Sequence, residues 1–246
     1  MFSKEKTLGA MLGGIILMLA WYLLALLVDR PIIPNPIDVF IQIGEIFQVK
    51  MAVHVAYSLM RIVEGVVIAF LIGVPLGFMM GYFEKADRIL APLIYFSYPI
   101  PKIALLPIIM VLFGLGETSK IIMIVLIIVF QIIITARDAV KDIPAQTFYS
   151  LQSLGAGKLQ IFTEIVAPAA LPEVLTATRL ALGTAISILF FTETFGTQYG
   201  MGFFIMDSWL RVNYLDMYAG IVVLSFIGFC LFVSIDYLER KICSWR

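Results

Sequence analysis

The sequence is poor in charged residues and in the residue types that most often carry chemistry. Only 14% of its 246 residues are charged, against about 25% in a typical soluble domain. One histidine, His54, and two cysteines, Cys230 and Cys243, are too few for a metal cluster or a disulfide framework. The 17 basic and 17 acidic residues balance, so no excess of positive charge indicates a nucleic-acid partner.

Catalytic patterns are equally scarce. We find no paired carboxylates, Ser/His/Asp set or metal-ligand cluster with workable spacing. The stretch Gly155–Lys158 partly matches the phosphate-loop motif. The match fails because Leu159 stands where the motif needs Ser or Thr, and no glycine lies five residues before Gly157. We therefore expect a non-catalytic chain that binds no nucleotide, metal or other cofactor of its own.

Hydrophobic residues are what the sequence has in abundance. They make up 61% of the chain, and the mean hydropathy is +1.02, which is typical of membrane proteins. The first apolar run is not followed by a small-x-small cleavage site, which favours an uncleaved span over a removed signal peptide. We predict an all-α membrane protein with six transmembrane helices, at approximately residues 8–28, 62–82, 90–113, 119–136, 173–195 and 217–237.

The third predicted span is interrupted by prolines and by a lysine. The prolines are Pro92, Pro99, Pro101 and Pro107, and Lys102 lies among them. Such a segment is expected to be broken, and irregular backbone at membrane depth survives only inside a bundle or along a water-filled path.

The residues near this break, and one acidic residue in the fifth span, are candidates for lining a path that a solute takes through the membrane. The candidates are Tyr98, Pro99, Pro101, Lys102 and Glu193. Alternatives remain open: Lys102 could reach the lipid headgroups from a span end, and Tyr98 could be a packing residue. For Glu193 a gate or a structural role is favoured, because its charge would oppose entry if the path carries an anion.

Two patterns in the second span predict helix contacts. Gly73, Gly77 and Gly81 recur at every fourth residue, so they lie along one face, where a neighbouring backbone can approach closely. Arg61 and Glu64 are three residues apart and are expected to pair on the helix surface.

The longest polar interruption in the second half of the chain is Tyr149–Pro172, which we call the hairpin segment. The glycines of Gly155-Ala156-Gly157 predict a turn between two short helices. We expect Pro168 and Pro172 to end the second helix. The apolar residues predict one face on each helix: Phe148, Leu151 and Leu154 on the first, and Leu159, Phe162, Ile165 and Val166 on the second.

At these residues the sequence resembles the permease subunits of ABC importers. Their cytoplasmic signature reads E-A-A, three residues, Gly, nine residues, I-x-L-P. Gly155 takes the Gly place, and Ile165, Ala167 and Pro168 take the last part, with Ala for Leu. Tyr149-Ser150-Leu151 stands at the E-A-A place and differs from it. The stretches PAALPEVLTATRLALGTA and SYPIPKIALLPIIMVLFGLGETSKI also resemble the branch that imports nitrate, sulfonates, taurine or bicarbonate.

The resemblance implies a type I ABC importer permease fold and a division of labour between chains. Residues 51–239 would form the transmembrane domain, after an N-terminal segment at 1–50 and before a basic tail at 240–246. ATP and Mg²⁺ would be bound by a separate cytoplasmic ATPase dimer. The remaining partners would be a second permease copy, a periplasmic or lipid-anchored solute-binding protein, and membrane lipid. The residues implied to couple to the ATPase are Tyr149, Ser150, Leu151, Gly155, Ala156, Gly157, Lys158, Ile165 and Pro168.

The distribution of Lys and Arg predicts the orientation in a bacterial or archaeal inner membrane. Lysines and arginines are more numerous at both ends of the chain and in the loops at 84–88 and 137–172 than in the other loops, which places both termini and residues 137–172 in the cytoplasm. The alternative function is an ATP-independent secondary transporter or channel. It is disfavoured because few acidic residues lie inside the predicted spans and the two halves show no repeat.

Overall fold

The computed structural model describes residues 4–245, and its secondary structure within that range is helical. The predicted all-α class is confirmed. Met1–Ser3 of the predicted N-terminal segment and Arg246 of the predicted tail lie outside the described residues. The helices are α1 Lys4–Val28, α2 Pro36–Ile46, α3 Ala52–Tyr82, α4 Glu84–Ser97, α5 Leu106–Phe113, α6 Glu117–Lys141, α7 Ala145–Ser153, α8 Lys158–Ile161, α9 Ala167–Glu193, α10 Met201–Leu210 and α11 Tyr214–Ile242.

Four helical runs among the described residues are long and apolar enough to cross a bilayer. They are Pro36–Tyr82, Glu117–Lys141, Lys158–Glu193 and Tyr214–Ile242. A fifth span is formed if Glu84–Ser97 and Lys102–Phe113, which meet at an angle of 79°, are counted together. The broken third span is thus confirmed. The described apolar part of α1, Leu12–Val28, is shorter than the four long runs, so four or five of the six predicted spans are supported.

The centre of the bundle is the contact between α3 and α6, with α9 packed against both. A Cβ atom on Gly77 would lie 2.5 Å from the Cβ of Ala136 and 2.6 Å from the carbonyl oxygen of Ile133. A Cβ on Gly81 would lie 2.5 Å from the Cβ of Val140. Side chains are excluded at these positions because the two backbones approach too closely. The predicted packing role of the glycine row is confirmed.

A second apolar cluster holds α2, α10 and α11 together at one side of this core. Asn35 begins α2 by accepting a hydrogen bond from the N–H of Ile37 at 2.9 Å, as a good N-terminal cap does. Val39 and Ile46 of α2 are then buried in the cluster. The chain continues from α2 into α3 through a π turn at Phe47–Met51, so the two helices form one extended run.

Candidate functional site

The hairpin segment forms two short helices, α7 and α8, joined by a tight turn. Gly155 has a φ of +79°, a left-handed conformation that favours glycine. The N–H of Gly155 donates to the carbonyl of Gln152, and that of Ala156 to the carbonyl of Leu151, both at 3.0 Å. No atom outside the turn lies within 4 Å of a Cβ built on Gly155. The glycine is therefore required by backbone conformation and not by crowding.

One side of the hairpin segment is held by the core, and the other is open. Phe148 and Leu151 pack against the central cluster, which also contains Ile165. Leu154 and Leu159 are 83% and 76% exposed. Neither leucine packs on the core with the rest of the apolar face predicted for its helix, because the turn directs both outward. Two leucines are thus left on the surface of an otherwise polar loop.

The two prolines do not end the second helix of the hairpin. The run from Lys158 to Glu193 is continuous, with a π turn at Phe162–Val166 in which Ala167 donates its N–H to the Phe162 carbonyl. Pro168 follows directly after this π turn, at the start of α9, and Pro172 lies within that helix. The predicted break is wrong, and the hairpin leads directly into a 36-residue helical run.

Most of the predicted path residues lie together at the elbow between α4 and α5. The ammonium of Lys102 donates to the carbonyls of Ser97 and Tyr98 at 3.1 and 2.9 Å, and it lies 4.6 Å from the ring centroid of Phe130. The lysine therefore stabilises the C-terminal end of α4, where carbonyl groups lack helical partners. Tyr98 and Pro99 also line a groove that extends along α4 toward Asp87 and Arg137.

Glu193 lies far from this elbow, at the opposite end of α9 from the hairpin, in a buried ionic cluster. Its side chain and that of Arg61 are both fully buried, with a guanidinium Nη1 to Oε1 distance of 2.6 Å. Ser58 donates its hydroxyl to the same carboxylate at 2.8 Å. The second carboxylate bound by Arg61 is that of Glu117, at the first turn of α6. We call Ser58, Arg61, Glu117 and Glu193 the ionic cluster.

The ionic cluster also fixes the loop between α9 and α10. The N–H of Gly202 donates to Glu193 at 2.8 Å, and the N–H of Met201 donates to Ser58 at 2.7 Å. The carbonyl of Tyr199 accepts from Arg61 at 2.8 Å. One buried arginine therefore connects α3, α6, α9 and this loop.

Sequence reasoning placed Arg61 with the wrong partner. The expected contact with Glu64 is not formed, since Arg61 binds Glu117 and Glu193 and Glu64 is exposed. The true partners are 56 and 132 residues away along the chain, and a helix-spacing rule cannot find them. One feature of the sequence could have indicated the Glu193 contact. A basic and an acidic residue on separate apolar segments are expected to pair when both are buried, since an unpaired buried charge is costly.

Two further ionic contacts connect helices nearer the hairpin. Arg179 of α9 pairs with Asp236 of α11. Asp87 of α4 accepts hydrogen bonds from both Arg137 and Lys141 of α6, directly before the hairpin segment. The helices on either side of the hairpin are thereby tied to their neighbours.

Sequence comparison places this arrangement in a known group. The profile described as "Binding-protein-dependent transport system inner membrane component" matches residues 73–243. The chain belongs to this family of ABC transporter permeases. The permease is 35% identical over 193 residues to the taurine transport system permease protein TauC of Escherichia coli, covering 78% of this chain and 70% of TauC.

Other relatives of the permease carry different substrate names. It is 29% identical over 233 residues to the formylaminopyrimidine transport permease protein ThiX of Halalkalibacterium halodurans, with 94% of this chain and 93% of ThiX covered. It is 27% identical over 220 residues to the putative aliphatic sulfonates transport permease protein SsuC of Bacillus subtilis, with 89% and 80% covered. The resemblance to ABC permeases of the taurine and sulfonate branch is confirmed.

A solved structure shows the same fold. A chain of the MetNI methionine ABC transporter, in an inward-facing conformation, superposes with a TM-score of 0.68 and 21% sequence identity, covering 77% of this permease and 94% of that chain. The predicted type I ABC importer permease fold is confirmed.

The permease should depend on its buried ion pair for stability. Replacing Arg61 with leucine leaves the carboxylate of Glu193 buried without its partner, and breaking such a pair costs about 3–5 kcal/mol. We expect R61L to lower the melting temperature of the detergent-purified protein strongly, and the double variant R61L/E193L to recover part of the loss. Thermal unfolding followed by gel filtration measures both.

The matched control for this prediction is an exposed ion pair. Arg211 pairs with Asp207 on α10 with 74% of the arginine side chain exposed, and such pairs contribute up to about 1 kcal/mol. R211L should therefore melt close to the wild type. Equal destabilisation by R61L and R211L would contradict a stabilising role for the ionic cluster.

Proposed function

We propose that this permease is half of the membrane channel of an ATP-driven importer for a small anion or polar organic solute. Two copies form one path that opens alternately to each side of the membrane. A separate ATPase dimer binds the hairpin segment, and an extracytoplasmic binding protein delivers the solute. The observation that carries this proposal is the 35% identity to a taurine permease over 193 residues.

The form of the hairpin segment supports its proposed contact with the ATPase. It is anchored on one side by Phe148 and Leu151, so it can transmit force instead of bending away. On the other side Leu154 and Leu159 are exposed. An apolar pair on a polar loop favours a protein partner. Tyr149, Ser150 and Lys158 are also exposed, whereas Ile165 is buried, so it acts as an anchor of the hairpin and not as a contact.

The proposed solute follows from the relatives' names and not from the bundle itself. TauC and SsuC are named for taurine and aliphatic sulfonates, which carry an anionic sulfonate group. ThiX is named for formylaminopyrimidine, so a polar organic solute belongs to the proposed class. The path residues proposed from sequence, Tyr98, Pro99, Pro101 and Lys102, lie at the elbow of the broken span, and Glu193 lies in the ionic cluster instead.

The cytoplasmic position of the hairpin segment is part of the proposal. Basic residues cluster at its end of the bundle: Arg137 and Lys141 precede it, and Arg240 and Lys241 end α11. Cytoplasmic loops of membrane proteins carry such an excess. The ionic cluster, at the other end of α9, then lies toward the extracytoplasmic side.

The proposed importer should take up taurine only with its complete set of subunits. Proteoliposomes that contain the permease and its ATPase subunit, with ATP enclosed and the binding protein outside, should accumulate radiolabelled taurine. Omitting either ATP or the binding protein should abolish uptake. Uptake by the permease alone would instead support an ATP-independent transporter or channel.

Gly155 should be required for coupling and not for folding. A valine at a φ of +79° is strained, by roughly 1–2 kcal/mol for a left-handed residue, so G155V should change the shape of the turn. We expect ATP hydrolysis to persist while taurine uptake falls about tenfold. The control is G44V, because Gly44 is exposed and a Cβ there meets nothing within 4 Å. Unchanged coupling in G155V would contradict the role of the hairpin.

The orientation can be tested with single cysteines. Cys230 and Cys243 are first replaced with serine, and Lys158 and Arg211 are then changed to cysteine one at a time. A membrane-impermeant maleimide should label K158C only in inverted vesicles and R211C only in intact cells, because the two residues lie at opposite ends of the bundle. Labelling of K158C from outside the cell would overturn the topology.

A further inference from the structure

The guanidinium of Arg61 presents two edges, and each edge binds a different carboxylate. Nη1 donates to Glu193 at 2.6 Å and to the carbonyl of Tyr199 at 2.8 Å. Nε and Nη2 together donate to the two carboxylate oxygens of Glu117, with Nη2 at 2.7 Å from Oε1. The second contact has the bidentate geometry by which arginine recognises planar or trigonal oxyanions.

The two carboxylates are held very differently. Glu193 is fully buried and also accepts hydrogen bonds from Ser58 and from the N–H of Gly202. The side chain of Glu117 is 39% exposed, and the hydrogen bonds recorded for its carboxylate come from Arg61. Of the two carboxylates, Glu117 is therefore the more easily exchanged for another anion.

The helices around Arg61 are closely packed. One turn beyond Arg61, a Cβ on Gly65 would lie 2.6 Å from Ile124 of α6, so α3 and α6 are in direct contact at this level. The ring of Tyr57 lies 5.5 Å from the Arg61 guanidinium carbon and stacks on Tyr199 at 5.0 Å. Arg61 thus lies between closely packed helices and the ring of Tyr57.

The charges of the site favour an anion once Glu117 has moved away. Lys120 is fully buried, and its ammonium donates to the carbonyls of Leu115 and Gly116 at 2.7 and 3.0 Å. Its charge interacts with those of Arg61, Glu117 and Glu193. With Glu117 in place, two cations balance two anions. Without it, Arg61 and Lys120 face Glu193 alone, and the site carries one net positive charge.

We propose that the Nε/Nη2 edge of Arg61 is a binding site for the sulfonate or carboxylate group of the transported solute. The carboxylate of Glu117 occupies this edge until the solute replaces it. The inference rests on the proposed function for the identity of the solute, but the site itself is defined by Arg61, Glu117 and their exposure. It gives the permease an anion selectivity of its own, beyond that of the binding protein.

The test is direct anion binding to the purified permease–ATPase complex, with neither ATP nor binding protein present. The probe is methanesulfonate, titrated calorimetrically, with uncharged dimethyl sulfone as the matched negative probe. In E117Q the competing charge is removed and the side-chain shape is kept, so methanesulfonate should bind about tenfold more tightly, a change equivalent to 1.4 kcal/mol. In R61K the charge is kept and the bidentate fork is lost, so the gain in affinity should disappear from the double variant R61K/E117Q.

The control variant is E64Q, because Glu64 lies three residues from Arg61 on α3 but is exposed. It should bind methanesulfonate with wild-type affinity, and dimethyl sulfone should bind to none of the variants. Equal affinity in E117Q and wild type, or no binding to either, would overturn the site. Equal gains in E117Q and E64Q would also overturn it, because a general change in surface charge would explain both.

Failure of this inference can be told apart from failure of the proposed function. ATP-dependent taurine uptake together with an unchanged methanesulfonate affinity in E117Q would refute the anion site and leave the importer intact. Tighter binding in E117Q without ATP-dependent uptake would establish the site and refute the proposed transport.

Discussion

The close approach of α3 and α6 across a row of glycines is the contact on which the rest of the structure depends. Without side chains at Gly77 and Gly81, the backbones meet closely enough for α9 to pack against both helices. In a membrane, association of helices relies on such close packing, because lipid tails are as apolar as the side chains they would replace. The same contact brings Arg61 and Glu117 together at one end of the bundle. At the other end it places α6 beside the hairpin.

The helical run from Lys158 to Glu193 connects the hairpin segment to the ionic cluster. Its 36 residues span about 54 Å at 1.5 Å per residue. Its first turns belong to the exposed hairpin, and its last residue is the buried carboxylate that binds Arg61. In the proposed importer, this continuous element would pass a displacement of the hairpin to the loop that the ionic cluster holds. The π turn at Phe162–Val166 is the point at which this run departs from regular α-helical geometry.

The sequence was sufficient to predict the features that depend on local pattern. Apolar runs predicted six membrane spans, of which four or five are supported. The proline cluster around Lys102 predicted the broken span, and the spacing of Gly73, Gly77 and Gly81 predicted a tight helix contact. It failed where distant residues decide the outcome. The partners of Arg61 are set by the packing of three helices, and the exposure of Leu154 depends on the direction of one turn. Pro168 and Pro172 predicted a helix end because local rules take no account of a π turn that lets the helix continue.

Gly200 shows how strictly the ionic cluster constrains the chain around it. Its φ is +135°, and a Cβ atom there would lie 2.6 Å from each carboxylate oxygen of Glu193. Both the backbone angle and the lack of space disfavour every residue with a Cβ atom at this position. Any missense change in the Gly200 codon, even to alanine, would therefore force the Glu193 carboxylate away from Arg61. A substitution at Gly200 should therefore disturb the buried ion pair as a change to one of the charged residues does.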